Sequence, residues 1–414
     1  MTDKPRDSLN ILAPWSAKPK LDYLHRQLYR DAAERSGLSR RELLGLGALG
    51  LVAAACGGST NAGGGGGGGS TAAGGGNTLA GKKIENNLVI YNWSEYDAAS
   101  TFSKFKAAHP GTKVQQTFYS SNDELLAKLA AGGTGYDIIV PSQNAVAQLI
   151  TQNGLMALDK ALLPNLKNLD PKFLKPSYDP TGNFHVIKDY GITMVFYMNT
   201  VVKDHPKTML DFYNLLPKYV SKGRTNVLDG AEEVVPLALM ALGLDPNTDK
   251  SSDFDKVKKF LLGIRKGVTT IDSSGYINDA IAGKIILSQG WNGDVRRIYQ
   301  ARKKQGDITP VLLDGMSEVW ADNWCIPATA PDPVAAHAWI NWLLGPATAV
   351  AEMNYHNYPI PIPDALSEIP TDLSGDPLFN VPKQYTDNYQ YILNVSPQVV
   401  QARTQIYSEF KAAG

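Results

Sequence analysis

The sequence predicts an α/β protein of two lobes built on mixed, mostly parallel sheets. Three observations lead there. From about Ile84 short apolar runs alternate with amphipathic stretches, the pattern of strands joined by crossover helices. The alternation starts afresh near Val227, which gives a second α/β unit. The chain beyond residue 81 is long enough for two lobes with cores of their own.

Each element follows from local signals. Residues 88–91 form an apolar run that reads as a buried strand. Residues 98–108 are helical in spacing and stop at His109-Pro110-Gly111. Residues 112–119 alternate as a strand, and Ser121 to Glu124 offers capping groups for a helix through Ala131, ended by Gly132-Gly133. A third strand spans 136–140, closed by Pro141-Ser142, and a third helix spans 144–152. In the second unit, Val227-Leu228 leads through Asp229-Gly230 into a helix ending at Leu242. A helix over 254–264 and a strand over 285–288 follow, the strand ending at Gly290-Trp291-Asn292-Gly293-Asp294. Residues 335–344 make a Trp-containing helix broken at Gly345-Pro346. Ligands of such sheets sit beyond the carboxyl ends of the strands, so 92–96 and 141–144 are placed to face one cleft.

The first part of the chain reads differently. Lys+Arg 40 balances Asp+Glu 40 overall, yet residues 1–55 carry nine basic and six acidic side chains. Ser39-Arg40-Arg41-Glu42-Leu43-Leu44 precedes an apolar run through Ala55, too short for the about 20 residues that a membrane span needs. A basic doublet, a short apolar run and then small residues make an export signal, here of twin-arginine type. Val52-Ala53-Ala54-Ala55-Cys56 resembles a lipobox in which Cys56 is lipidated, with Ala53 where such boxes usually carry Leu. Gly45 to Gly50 matches G-x-G-x-x-G, but without a preceding strand the match is fortuitous. Residues 57–81 are glycine-rich and reach roughly 25–30 Å as a flexible coil. The expected organisation is thus an export signal over 1–55 and a lipidated tether over 56–81, holding the body to the outer face of the cytoplasmic membrane.

Composition excludes several classes. At 43% hydrophobic and 19% charged residues the chain is not disordered, collagen-like or polytopic. Balanced charge gives no basic surface for nucleic acid. Cys56 and Cys325 allow one disulfide at most and no cysteine-rich zinc site. No hydrolase, P-loop or zincin motif occurs, and no nucleophile stands beside a base. No cofactor is expected. Of six His, only that of Tyr355-His356-Asn357-Tyr358 has neighbours suited to ferric iron. Cys325, Trp324, Trp339 and Trp342 read as core.

What recurs is Trp beside acids and amides: Trp93 with Glu95 and Tyr96, Trp291 with Asn292 and Asp294, Trp320 with Asp322 and Asn323. All three clusters fall at predicted strand ends. Ring faces attract cations by about 0.5–2 kcal/mol each, and carboxylates add charge-assisted hydrogen bonds. Sugars also stack on aromatics and bond acids, so the pattern admits both.

Tyr91-Asn92-Trp93-Ser94-Glu95-Tyr96, Tyr136-Asp137-Ile138-Ile139-Val140-Pro141-Ser142, Gly290-Trp291-Asn292-Gly293 and Trp320-Ala321-Asp322-Asn323 resemble the spermidine/putrescine-binding proteins of ABC importers. The motifs run in order from about Leu88 to the end of the chain. The resemblance implies a two-lobed periplasmic-binding-protein fold, type II-like, closing by a hinge. The lobes would be 84–190 plus 321–366 and 191–320 plus 367–414. It also implies site roles: Trp93, Trp291 and Trp320 around a methylene chain, Tyr96 and Tyr358 giving ring and hydroxyl, and Ser142 a hydroxyl contact. Asp322 would bind one ammonium and Glu233 another. Two positions depart from the family pattern. Gly230 stands where a second acid is common, so Asp229 or Glu232 is a candidate replacement, and Asn144 stands where spermidine binders carry an aromatic.

The resulting expectation is a monomeric binding protein, not an enzyme, that delivers a polyamine to a permease. The alternatives are a sugar, another organic cation or ferric iron as solute. A glycoside hydrolase is a further one, needing Glu232 or Glu233 and Asp322 about 5–9.5 Å apart.

Overall fold

The computed structural model describes residues 79–414. The expected export signal, Cys56 and nearly all of the expected tether lie outside the described residues. Strand β1 (Asn87–Trp93) runs between β2 (Lys113–Tyr119) and β3 (Ile138–Ile139), parallel to both. Helices α1 (Ala99–Ala108), α2 (Asn122–Ala130) and α3 (Gln143–Thr151) follow the three strands in turn. At the start of α2 the Ser121 hydroxyl accepts from the Glu124 amide at 3.2 Å, satisfying a donor the helix leaves unpaired.

Strand β4 (Val186–Met198) has 13 residues and is buried at all of them except Tyr190. No alternation marks it in the sequence because both faces are covered. Its first half pairs antiparallel with β9 (Glu318–Trp324), from Val186 opposite Trp324 to Ile192 opposite Val319. Its second half pairs antiparallel with β7 (Ile285–Trp291) and β8 (Ile308–Val311). Beyond β7 lie β5 (Arg224–Val227) and β6 (Thr270–Ile271) in parallel, while β10 (Gln390–Tyr391) runs parallel to β9.

Two large apolar clusters gather around the two halves of this long strand. Leu88, Ile90, Phe105, Val186, Ile187, Trp320, Trp324 and Trp339 belong to one. Ile192 to Met198, Phe212, Leu237, Leu261, Leu287 and Phe410 belong to the other. Membership changes between Ile187 and Ile192 on β4, and Trp320 on β9 falls in the first cluster. In the tail, Ile369, Leu373 and Phe379 pack into the first cluster, and only from Leu378 and Tyr389 onward do side chains join the second.

Gly191 lies where the strands cross. A Cβ there would meet Asn292 Oδ1 at 2.3 Å and the Trp320 ring at 2.4 Å, so only glycine lets β4 pass. Asn292 then ties the passage together. Its Oδ1 accepts from the Ile192 amide at 2.9 Å and its Nδ2 donates to Leu378 O at 2.8 Å.

Candidate functional site

A cleft of about 690 Å³, its open mouth included, lies between the two apolar clusters. The segments that form its walls are the ends of β1, β3 and β7, the middle of β9, and the start of helix α5 (Ala231–Ala241).

The aromatic walls are fixed by hydrogen bonds and edge contacts. Trp93 closes β1, and its indole N–H donates to Val140 O at 2.9 Å. Trp291 ends β7 and meets Trp93 edge-on at 5.9 Å between ring centroids. Trp320 and Tyr358 meet edge-on at 5.0 Å, as do Tyr358 and Tyr96 at 5.9 Å. The Tyr358 hydroxyl accepts from the Asp294 amide at 3.1 Å, which sets the ring against the start of α8 (Asn292–Ala301).

Five acids line the cleft, Glu232, Glu233, Asp294, Glu318 and Asp322, and no Lys, Arg or His is among the described residues that do. Two of them have a cation behind them. Arg403, fully buried on α14 (Pro397–Ala412), donates from Nη1 to Glu232 and from Nη2 to Pro246 O at 2.7 Å. Asp294 accepts from Tyr276 OH at 2.8 Å and lies 3.9 Å from Arg297. Burial nevertheless pushes its carboxyl up to about 6.

The other three lack such compensation. Asp322 accepts from Ser142 Oγ at 2.6 Å and Tyr96 OH at 2.8 Å. The Tyr96 hydroxyl is also in contact with the buried Asp189, and one phenolic proton cannot satisfy two carboxylates. Burial first and the Asp189 charge second push the Asp322 carboxyl up to about 7. Glu318 accepts from Thr193 Oγ1 at 2.8 Å, and burial holds it up at about 8. Burial, then Glu318 and Asp322, raise Glu233 well above the usual carboxylate range, and its Oε2 is buried without a donor. Lys188 does not serve them directly. It is buried behind Tyr96, 3.9 Å from the ring centroid, where it is bound to Asp189 at 3.2 Å and Asp97 at 3.4 Å.

Of the residues singled out in the sequence, Trp93, Tyr96, Ser142, Asn144, Glu232, Glu233, Trp291, Trp320, Asp322 and Tyr358 line the cleft. Glu95 and Asp229 do not. Glu95 sits in a left-handed conformation, φ 55°, that carries its carboxylate to Arg297 Nη2 at 3.1 Å and Asn278 Nδ2 at 2.7 Å. Asp229 is held by Tyr407 OH and lies 3.6 Å from Lys411. Trp320 and Asp322 are also not at a strand end but mid-strand in β9, because β9 runs on past the cleft to pair with β4. His356 is fully buried, its Nδ1 accepting from the Tyr358 amide at 2.9 Å, and burial lowers its pKa so that the ring is neutral. Among the described residues no cluster of three His, Cys, Asp or Glu is arranged to hold a metal ion.

Sequence reasoning missed Glu318. The signal was present: Glu318, Trp320 and Asp322 alternate, so on a strand they share a face.

The family described as bacterial extracellular solute-binding protein matches residues 100–380. The spermidine/putrescine-binding periplasmic protein 1 of Haemophilus influenzae is 30% identical over 331 residues, 79% of this chain and 89% of that protein. The putrescine-binding periplasmic protein of Escherichia coli is 33% identical over 292 residues, 67% of this chain and 78% of that one. A solved structure described as a spermidine/putrescine ABC transporter from Listeria monocytogenes superposes with a TM-score of 0.74 at 27% identity, covering 79% of this chain and 99% of its own. Such proteins bind solutes for transport outside the cytoplasm and are not enzymes. With more than half its length matched, this chain belongs to the bacterial extracellular solute-binding protein family.

Proposed function

We propose that this protein captures a polyamine of the putrescine/spermidine class in its inter-lobe cleft and delivers it to the membrane permease of an ABC importer. One observation carries the reading: Glu233, Glu318 and Asp322 converge on a Trp-walled cavity that offers them no basic side chain. Burial and mutual repulsion oppose the ionisation of these three acids in an empty cleft of this kind. A ligand with ammonium groups ionises them and replaces mutual repulsion with charge-assisted hydrogen bonds, while its methylenes lie on Trp93, Trp291 and Trp320. The spermidine/putrescine-binding relative of Haemophilus influenzae and the putrescine-binding relative of Escherichia coli support the same ligand class.

In this reading the work done is closure of two lobes, driven by tighter binding in the closed state. The lobes follow the two apolar clusters, with crossings on β4 near Gly191, on β9 near Trp320 and in the tail near Leu378. Cys56 would carry the lipid and the glycine-rich segment would serve as leash after export through the twin-arginine route, leaving a monomer beside the membrane. A neutral sugar fits less well, since hydroxyls leave three acids uncompensated.

A thermal-shift panel of putrescine, cadaverine, spermidine, spermine, neutral sugars and ferric citrate tests the proposal. Stabilisation by one or more amines is expected. Stabilisation by a sugar or iron alone would overturn the ligand class.

A further inference from the structure

Glu318 is the acid that sequence reasoning did not foresee, and its position carries more than an additional charge. Position 230, where the family pattern carries an acid, is glycine with φ 119°. The two neighbouring candidates to replace that charge are both engaged elsewhere, Asp229 by Tyr407 and Lys411, and Glu232 by Arg403. Glu318 comes from another element altogether. It opens β9 and lines the cleft on the same strand face as Trp320 and Asp322. Four strand residues at about 3.3 Å each put the Cα atoms of Glu318 and Asp322 roughly 13 Å apart, with the Trp320 side chain between them.

The two ends of this row are different. At the Asp322 end, Ser142 and Tyr96 donate to the carboxylate. At the Glu318 end, Thr193 donates to one oxygen, and Glu233 shares a side-chain hydrogen bond with Glu318, so that the two acids hold one proton between them, with Glu233 Oε2 buried without another donor. An acid pair that shares one proton keeps a net negative charge beside the cavity, and a group that brings several N–H donors and positive charge satisfies it, as a primary ammonium does.

We propose that Glu318 and Glu233 together form the second ammonium subsite, making Glu318 a specificity-determining residue that selects solutes charged at both ends over those charged at one. This rests on the polyamine reading above. Asp322 holds the first ammonium, Trp320 covers the methylenes between, and Glu318 supplies from β9 the charge that position 230 lacks.

The test compares putrescine with 1-aminobutane, which has the same carbon chain and a single ammonium, by calorimetry and by competition. The wild-type protein prefers putrescine, and in Glu318→Gln that preference shrinks by about tenfold or more, the value of one charge-assisted contact. The Gln side chain keeps the acceptor for Thr193, so a purely structural role for Glu318 would leave the preference unchanged. An unchanged ratio, whether both affinities fall together or neither moves, overturns the assignment while the polyamine reading stands. Failure of the wild-type protein to bind any amine instead sinks the polyamine reading, and the subsite with it. Glu233→Gln carries the same expectation and serves if Glu318→Gln does not fold.

Discussion

Replacing Asp322 with Asn separates what the acid does for the ligand from what it does for the fold. The side chain is 6% exposed and accepts from Ser142 Oγ and Tyr96 OH. Asn preserves the shape and one acceptor oxygen but removes the charge. On the ligand side, an ammonium facing an amide instead of a carboxylate loses a buried charge pair worth about 2–5 kcal/mol. That is roughly 30-fold to several-thousand-fold in affinity. Ionising the wild-type carboxyl, poised at about 7, offsets only a few tenths of a kcal/mol at neutral pH. In the empty protein the sign reverses. The Asp322 charge is opposed by burial and by Asp189, so its removal leaves the melting temperature at pH 8 equal to or above that of wild type. Calorimetry with putrescine at pH 8 and differential scanning of the ligand-free protein provide the two readings. A loss under about threefold, no more than a remote surface change produces, would refute the placement of the cation. A fall in ligand-free stability would refute the electrostatic argument.

Three further outcomes follow from contacts around the cleft. Arg403→Met leaves Glu232 without its buried partner and should cost about 3–5 kcal/mol in chemical denaturation, against no change if the pair were ornamental. Glu95→Gln weakens the tie between the segment after β1 and Arg297 on α8; stopped-flow release of ligand should quicken by about two- to fivefold, less at high salt, and an unaltered rate would count against a closing contact. Gly230→Asp restores an acid to the family position but must adopt φ 119° with its Cβ 3.3 Å from that of Ser121, so stability drops by about 1–3 kcal/mol. Tighter putrescine binding by that variant would show that Glu318 does not already supply the missing charge.

The sequence made the near side of the site legible and the far side much less so. Trp93, Ser142 and the start of α5 are announced by short apolar runs that end in polar or turn-forming residues, and those signals are local. The strand alternation of β2 and the cap at Ser121 are local too. By contrast β4 and β9 are covered on both faces, so neither shows the apolar-polar alternation of a half-exposed strand, and the spacing of Glu318, Trp320 and Asp322 on β9 gives one face of a strand without saying that the strand continues past the cleft. Glu95 and Glu232 show a second limit. Their carboxylates are captured by Arg297 and Arg403, the latter 171 residues away in the chain, and no local pattern encodes such a pairing. Proximity to Trp93 or Glu233 in sequence says nothing about which way a left-handed backbone or a buried Arg will turn the side chain.

On the polyamine reading, acids whose ionisation burial opposes in the empty cleft ionise onto the ammonium groups of the solute. Asp322 and Glu318, pushed up to about 7 and about 8, hold protons in the folded protein that the unfolded chain releases near the ordinary carboxylate pKa of about 4. Their contribution to ligand-free stability therefore falls as pH rises through 4 to 8, while affinity for an ammonium rises over pH 6 to 8 and levels off above. The most direct measurement is calorimetric titration with putrescine and with 1,4-butanediol at pH 6 and pH 8. Putrescine is expected to bind at micromolar affinity or tighter at pH 8, about −8 kcal/mol, and more weakly with greater proton release at pH 6, while the diol gives no heat. Equal binding of diol and diamine, or putrescine affinity that does not change with pH, would contradict this reading.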